Sequence, residues 1–264
     1  MKLAVLGTDR DVLALIAAAV EAGHEVVWLG EVRPEDAGDI AELLPGLAVR
    51  SDWELLLDQA TADAVLVGAG TASADLRAEQ LKRLVTDAVP LLAVHPASKS
   101  VLVYYEIDMA RRESHAVVRH YSPLAGAPAI AELAAWVKSG DGPIGEVHQV
   151  LCERHLADCG REAALRTLAR DAELLRDLSG GIRTVNAVGP RTADASFASL
   201  QVQMTGPGAA TLRWSVTPAV DAVPRAGLTL VGSRGIARLR MPADADAPVA
   251  GGAQQEWALH GAAR

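Results

Sequence analysis

The strongest constraint on this chain is a rhythm. Over the first 120 residues short apolar runs recur between stretches of helical period: LAVLG (3–7), EVVWLG (25–30), LAVR (47–50), DAVLVGAG (63–70), PLLAVHP (90–96) and HAVVRHY (115–121). Continuous apolar runs suit strands covered on both faces. The intervening segments 11–22, 35–44, 51–60, 74–87 and 99–113 read as helices, and Val12, Ile16, Ala19 and Val20 share one helical face. Ser51, ahead of Asp52, Trp53 and Glu54, has the spacing of a capping box. Strands alternating with helices predict a doubly wound parallel sheet. Such sheets bind ligands at the carboxyl ends of their strands. Those ends are Gly7–Asp11, Gly30–Glu31, Gly68–Thr71, His95–Pro96 and Arg119–Pro123.

The second half has a different pattern. A helix over 127–139 leads through SGDGPIG to a long strand, EVHQVLCERHL (146–156), and a helix over 162–178 ends at Ser179-Gly180-Gly181. The strand-like runs IRTVNAVG, ASLQVQM, ATLRWSV, LTLVG and IARLRM follow with little helix between them. This predicts an α+β domain with a largely antiparallel sheet. The expected division is 1–120 and 121–264. The Ala-, Asp-, Gly- and Pro-rich tail from 242 reads as loosely ordered, with Trp257 its one sign of docking.

Composition narrows the partners. A formal net charge of −8 gives no support for a nucleic-acid or anionic-membrane surface. No apolar run reaches spanning length, and the first residues lack a basic segment followed by an apolar one, so neither a membrane span nor a signal peptide is expected. Cys152 and Cys159 are the only cysteines, which suits a reducing compartment and a cytoplasmic location. With His155 between them they still fall short of a metal set, and no metal is expected.

The first strand–helix turn is where a dinucleotide-binding sheet cradles phosphate. The usual G-x-G-x-x-G is here Gly7, Thr8, Asp9, Arg10, Asp11 and Val12. The second glycine normally lets the backbone approach the diphosphate, so Asp9 brings both bulk and negative charge to that place. Arg10 is placed to offset part of that charge, and Asp9 or Asp11 to cap the helix that follows. The acidic residue that would grip a ribose falls at Glu31, one or two places late.

Several segments in order resemble the glucose–fructose oxidoreductase / inositol dehydrogenase / MocA family. They are the opening strand–Gly–helix, ADAVLVGAGTASADL, LLAVHPAS where the family has V-x-C-E-K-P, AVVRHYSP, WVKSGDGPIGEV, RDAELLRDLSGGIRTVNAV where it has D-x-G-x-H-x-x-D, and GLTLVGSRGIARLRMP. The resemblance implies a Rossmann-like domain joined to an α+β domain whose open sheet builds oligomer interfaces. It also implies hydride transfer between NAD or NADP and a sugar, inositol or related polyol.

The functional positions have changed. His95 stands at the family's lysine, Val94 at its glutamate and Arg170 at its catalytic histidine, with Glu173 at the last acid. Arg170 cannot accept a proton at ordinary pH. A working enzyme would use His95 as acid/base, with Tyr121 as a hydroxyl partner. Cofactor contacts would fall to Gly7, Thr8, Asp9, Arg10, Glu31, Gly68, Gly70 and His95.

The leading expectation is a divergent oxidoreductase-like protein with weak or no dehydrogenase activity, acting as a binding or partner subunit. It would form a homo-oligomer, or a hetero-oligomer with a related chain, through the C-terminal sheet. NAD or NADP binding and a carbohydrate-like small ligand stay open. The alternatives are an active NAD(P)-dependent oxidoreductase and a non-redox lyase or hydrolase in the same cleft.

Overall fold

A computed structural model describes residues 1–59, 62–94, 101–122, 128–179, 181–190, 199–206, 210–219, 225–241 and 256–260. The chain divides into two compact units, Met1–Tyr121 and Ser122–Arg264.

The first unit is a six-stranded parallel sheet: β1 (Lys2–Leu6), β2 (Glu25–Gly30), β3 (Val49–Arg50), β4 (Ala64–Val67), β5 (Leu91–Ala93) and β6 (Val118–His120). Their order across the sheet is β3-β2-β1-β4-β5-β6. This is a Rossmann-like arrangement, and its order reverses between β1 and β4. Five helices connect the strands: α1 (Arg10–Glu21), α2 (Ala37–Leu43), α3 (Leu55–Gln59), α4 (Ala74–Thr86) and α5 (Val101–Ser114).

The apolar runs explain the layering. On one face Val5, Leu29 and Leu66 pack with Val12 and Ile16 of α1 and Ile40 of α2. On the other Ala4, Leu6, Val65 and Val67 pack with Leu81, Leu84 and Val85 of α4. Each fully buried aliphatic side chain contributes about 1.5–3 kcal/mol. The helix expected from Ser51 begins instead at Leu55, because the Asp52 carboxylate accepts the Glu54 N–H at 3.0 Å. That local turn competes with helical geometry.

The second unit holds α6 (Pro128–Ser139), β7 (Val147–Leu156), α7 (Arg161–Ser179), β8 (Thr184–Val188), β9 (Leu200–Thr205), β10 (Thr211–Pro218), β11 (Arg225–Gly232), β12 (Ile236–Met241) and β13 (Glu256–His260). The strands form one sheet in the order β13-β12-β11-β7-β10-β9-β8. Its pairs are antiparallel except β7 with β10.

Strand alternation sends one set of side chains to a core. Val150, Cys152, Leu212, Trp214, Leu228 and Leu230 pack against Leu174, Leu175 and Leu178 of α7 and Ile130 and Leu133 of α6. The opposite face carries exposed Glu153, Gln201, Gln203, Thr211, Arg213 and Arg238. Glu256–His260 is a strand, and Trp257 lies in register with Leu239 of β12. Backbone pairing orders it where composition alone argued for loose chain; residues 242–255 and 261–264 are outside the described set. Among the described residues no helix is long and apolar enough to cross a membrane.

Candidate functional site

The crevice at the carboxyl ends of β1, β2 and β4 is the place a doubly wound sheet offers a ligand. In this chain its walls are bonded to each other. The Gly7 N–H donates to the Gly30 carbonyl at 2.9 Å, Gly68 N–H to Leu6 at 3.0 Å and Gly70 N–H to Thr8 at 3.1 Å. Gly7 has φ of 88°. A Cβ there would stand 2.5 Å from Nη2 of Arg77, and one on Gly68 would stand 2.6 Å from the Gly7 carbonyl oxygen. Glycine is needed at both for these close approaches.

Asp9 sits in the middle. It is the N-cap of α1, with extended backbone. Its Oδ1 accepts the N–H groups of Asp11 at 2.9 Å and Val12 at 3.0 Å. Its Oδ2 reaches across to accept the Ala69 N–H, after β4, at 2.8 Å. Asp9, and not Asp11, is therefore the cap, and Val12 is fully buried in the core behind it. Arg10 lies exposed on the first turn of α1. Among the described residues Arg77 and Arg33 both lie in the field of Asp9.

Glu31 closes the second side. It adopts φ of 55°, a left-handed conformation that costs a non-glycine residue about 1–3 kcal/mol. The turn aims its carboxylate at α4. Arg77 Nη2 donates to Glu31 Oε2 at 2.6 Å, and Gln80 Nε2 donates to Oε1 at 2.5 Å. Arg77 also donates to Gln80 Oε1 at 2.9 Å and to the Ala69 carbonyl at 3.1 Å. Burial pushes the Arg77 pKa down, and Glu31 and Asp9 oppose that shift. Arg77 is only 5% exposed, and its Nε finds no hydrogen-bond partner among the described residues.

A third set joins the β1 turn to the segment after β2. Thr8 Oγ1 donates to Asp36 Oδ2 at 2.7 Å and accepts the Arg33 N–H at 2.9 Å. Arg33 completes the set with two bonds to Asp36, at 2.8 and 3.0 Å. Burial raises the Asp36 pKa, but the bonds from Arg33 and Thr8 outweigh it and hold the carboxyl below its ordinary value.

The structure thus brings Gly7, Thr8, Asp9, Glu31, Gly68 and Gly70 together. Tyr121 follows β6; its N–H donates to the Ala93 carbonyl at 2.8 Å and its side chain packs, partly buried, against the Val5–Leu29–Leu66 cluster. Arg170 is half-buried on α7 of the second unit, beside Asp171. His95 lies outside the described residues. His155 is engaged with the Thr217 hydroxyl at 2.8 Å. Among the described residues no group of His, Cys, Asp and Glu could hold a metal.

Sequence reading missed Arg77, Gln80, Arg33 and Asp36. For Arg77 a signal existed: it lies four residues before Leu81 and seven before Leu84, so a charge occupies the apolar stripe of α4. A buried charge demands a partner. A second such charge, Arg154 on β7, pairs with Asp171 of α7 inside the other unit. A cavity of about 100 Å³ lies between α4, α5, β5 and β6, lined by Leu81, Tyr104, Ile107 and His120. That is well under the roughly 300 Å³ of the smallest ordinary ligand pockets.

NAD(P) can be tested against this geometry. Its diphosphate needs free N–H donors at the start of α1, and Asp9 has taken those of Asp11, Val12 and Ala69. A helix N-terminus favours an anion by about 0.3–1 kcal/mol, up to about 2. A like charge about 4 Å away opposes it by about 4 kcal/mol per unit charge near a protein surface. Glu31, the residue for the ribose, is committed to Arg77 and Gln80. The residues present do not fit the cofactor.

No protein-family model matches the sequence, and no curated protein matches it. Solved structures do. A dehydrogenase from Chromobacterium violaceum superposes with a TM-score of 0.73 at 16% identity, covering 91% of this chain and 72% of that one. A myo-inositol dehydrogenase from Corynebacterium glutamicum gives 0.72 at 14%, covering 90% and 74%. The WlbA dehydrogenase from Chromobacterium violaceum, solved with NADH and UDP-GlcNAcA, gives 0.68 at 15%, covering 90% and 73%. These neighbours are dehydrogenases of the type the sequence resembles, and at such identities what the chain shares with them is the fold.

Proposed function

We propose that this chain is an oxidoreductase-fold protein with weak or no dehydrogenase activity, acting as a binding or partner subunit. One observation carries the reading: the carboxyl ends of β1, β2 and β4 are tied together by the chain's own Asp9, Glu31 and Arg77. Hydride transfer to or from a polyol needs a seated nicotinamide and a group that takes the hydroxyl proton. Arg170, at the family's histidine position, cannot take that proton. The partner role rests on the exposed polar face of the second unit's sheet, through which a homo-oligomer or a pairing with a related chain would form.

Fluorescence titration with NADH and NADPH tests the first part. No saturable binding up to millimolar cofactor is expected, and no oxidation of inositol or hexoses with NAD⁺ or NADP⁺. Light scattering tests the second. An assembly larger than the 27.6 kDa chain is expected, alone or with a related chain. A strict monomer that captures no related chain would remove the partner role.

A second reading is an active NAD(P)-dependent oxidoreductase on a carbohydrate-like substrate with His95 as its base. The NADH-bound WlbA neighbour favours it. Saturable cofactor binding with turnover lost in His95→Ala would establish it in place of the first.

A further inference from the structure

Resting on the reading that the first unit carries no dinucleotide, we propose that Asp9 is a resident anion: its carboxylate occupies the seat of a diphosphate and by itself keeps that seat closed. The diphosphate's failure to fit then has one principal cause, and the close approaches at Gly7, Gly68 and Gly70 are kept.

The donors show what the seat is built for. Three backbone N–H groups from two separate loops, those of Asp11, Val12 and Ala69, converge on one carboxylate. An ordinary N-cap takes bonds only from its own helix. The bond to Ala69 crosses 60 residues of sequence and joins the ends of β1 and β4, the two strands between which the sheet's order reverses. Backbone N–H groups at a helix N-terminus are how such a crevice grips phosphate, and here the Ala69 N–H adds a third donor to the same carboxylate.

The cradle retains its shape. Gly7 and Gly70 have φ of 88° and 57°, and a Cβ on Gly7, Gly68 or Gly70 would come within 2.7 Å of a neighbour. The positive charge is retained as well. Arg77 lies against Gly7 and Gly70, is 5% exposed, and has an Nε that no described residue satisfies. Its field reaches Asp9. Arg77, a buried cation with one donor unmet among the described residues, and the glycine-lined approach are two separate marks of an anion seat.

Glu31 cannot be the gate for phosphate. Its carboxylate faces Arg77 and Gln80 and takes none of the three N–H groups. Its engagement bears on the ribose. The two barriers are therefore separable. Removing Asp9 opens the seat to inorganic pyrophosphate, while affinity for a whole dinucleotide improves less because Glu31 stays committed.

Calorimetric titration of the full chain with inorganic pyrophosphate, and separately with NADH, tests this in wild type, Asp9→Gly and Asp9→Ser. The serine variant keeps a helix cap without the charge, so it carries the test if the glycine variant folds poorly. Wild type is expected to show no saturable binding of either probe. Both variants are expected to bind pyrophosphate saturably, about tenfold or more tighter than the weakest affinity the wild-type titration could have shown, with shifts of the Asp11, Val12 and Ala69 amide resonances marking the place. Folded variants without pyrophosphate affinity, or with affinity but unmoved amides, overturn the assignment to Asp9. Saturable NADH binding by wild type overturns the preceding reading instead.

Discussion

Among the described residues two arginine–carboxylate pairs are buried, one in each unit, and they differ in what surrounds them. Arg154 and Asp171 lie in the closed core, with side chains 5% and 1% exposed. Asp171 accepts from Arg154 Nε at 2.9 Å and from its Nη2, from the Trp214 indole at 2.7 Å, and lies 4.0 Å from the Cys152 sulfur. The carboxylate's acceptor sites are well used, and the pair pins α7 onto β7 and β10. Arg77 and Glu31 meet instead at the mouth of a parallel sheet, with side chains 6% and 13% exposed. There one donor is orphaned and one partner has a left-handed backbone. The same ionic chemistry thus serves a multiply bonded pair inside the core of one unit and a strained closure at the strand ends of the other.

The comparison predicts a hierarchy of costs. Asp171→Ala strands the Arg154 charge among apolar side chains, and should lose about 3–5 kcal/mol in urea unfolding followed by tryptophan fluorescence. The double change Arg154→Met with Asp171→Leu should recover most of that. If it recovers nothing, the pair is not the simple pin described. Trp214→Phe removes only the indole bond to a charged acceptor and should cost about 1.5–3 kcal/mol. Glu31→Ala should cost less than Asp171→Ala, about 1–3 kcal/mol, because Arg77 keeps its bonds to Gln80 and the Ala69 carbonyl and the field of Asp9. Glu31→Gly should be milder still, since it relieves the positive φ. Equal losses at Asp171 and Glu31 would erase the contrast between core pin and strained closure.

Two smaller effects sharpen it further. The folded-state pKa of Asp36 is depressed, so its contribution is fully present above the ordinary aspartate value near about 3.9 and is lost as pH falls through the folded value. The stability gap between wild type and Asp36→Asn should therefore shrink on acidification below about pH 4. At the core pair, burial pushes the Cys152 thiol well up, with Asp171 adding to the effect, so little thiolate forms at neutral or mildly alkaline pH. An aromatic disulfide reagent at pH 8 should leave Cys152 untouched in the native protein and modify it promptly in urea. Prompt labelling of the native protein would mean that the core around Asp171 opens.

Much of this was legible in sequence. The strand EVVWLG and the helices near 74 and 128 stand where periodicity put them, because a continuous apolar run or a 3.6-residue stripe has few other ways to be buried. The antiparallel character of the second sheet followed from closely spaced strands with little helix between. The start of α3 did not follow, because Asp52 offered a local bond that competes with the helix. Nor did the strand at Glu256–His260, whose hydrogen bonds belong to a partner far away in sequence. At the site, the loss of two glycines and the arrival of Asp9 were plain from the sequence. That Asp9 would bridge to Ala69 was not, since the bridge depends on how far apart the ends of β1 and β4 lie.

The sequence alone determined the alternation of strands and helices, the change of architecture near residue 121, and the negative charge at the phosphate turn. All three are carried by residue order, through the periods at which side chains repeat along helices and strands. Only the tertiary structure decided which groups that charge would meet. Hydrogen bonds and ion pairs act over a few ångströms, and Asp9, Glu31 and Arg77, spread over nearly 70 residues, come within that range only once the sheet has formed.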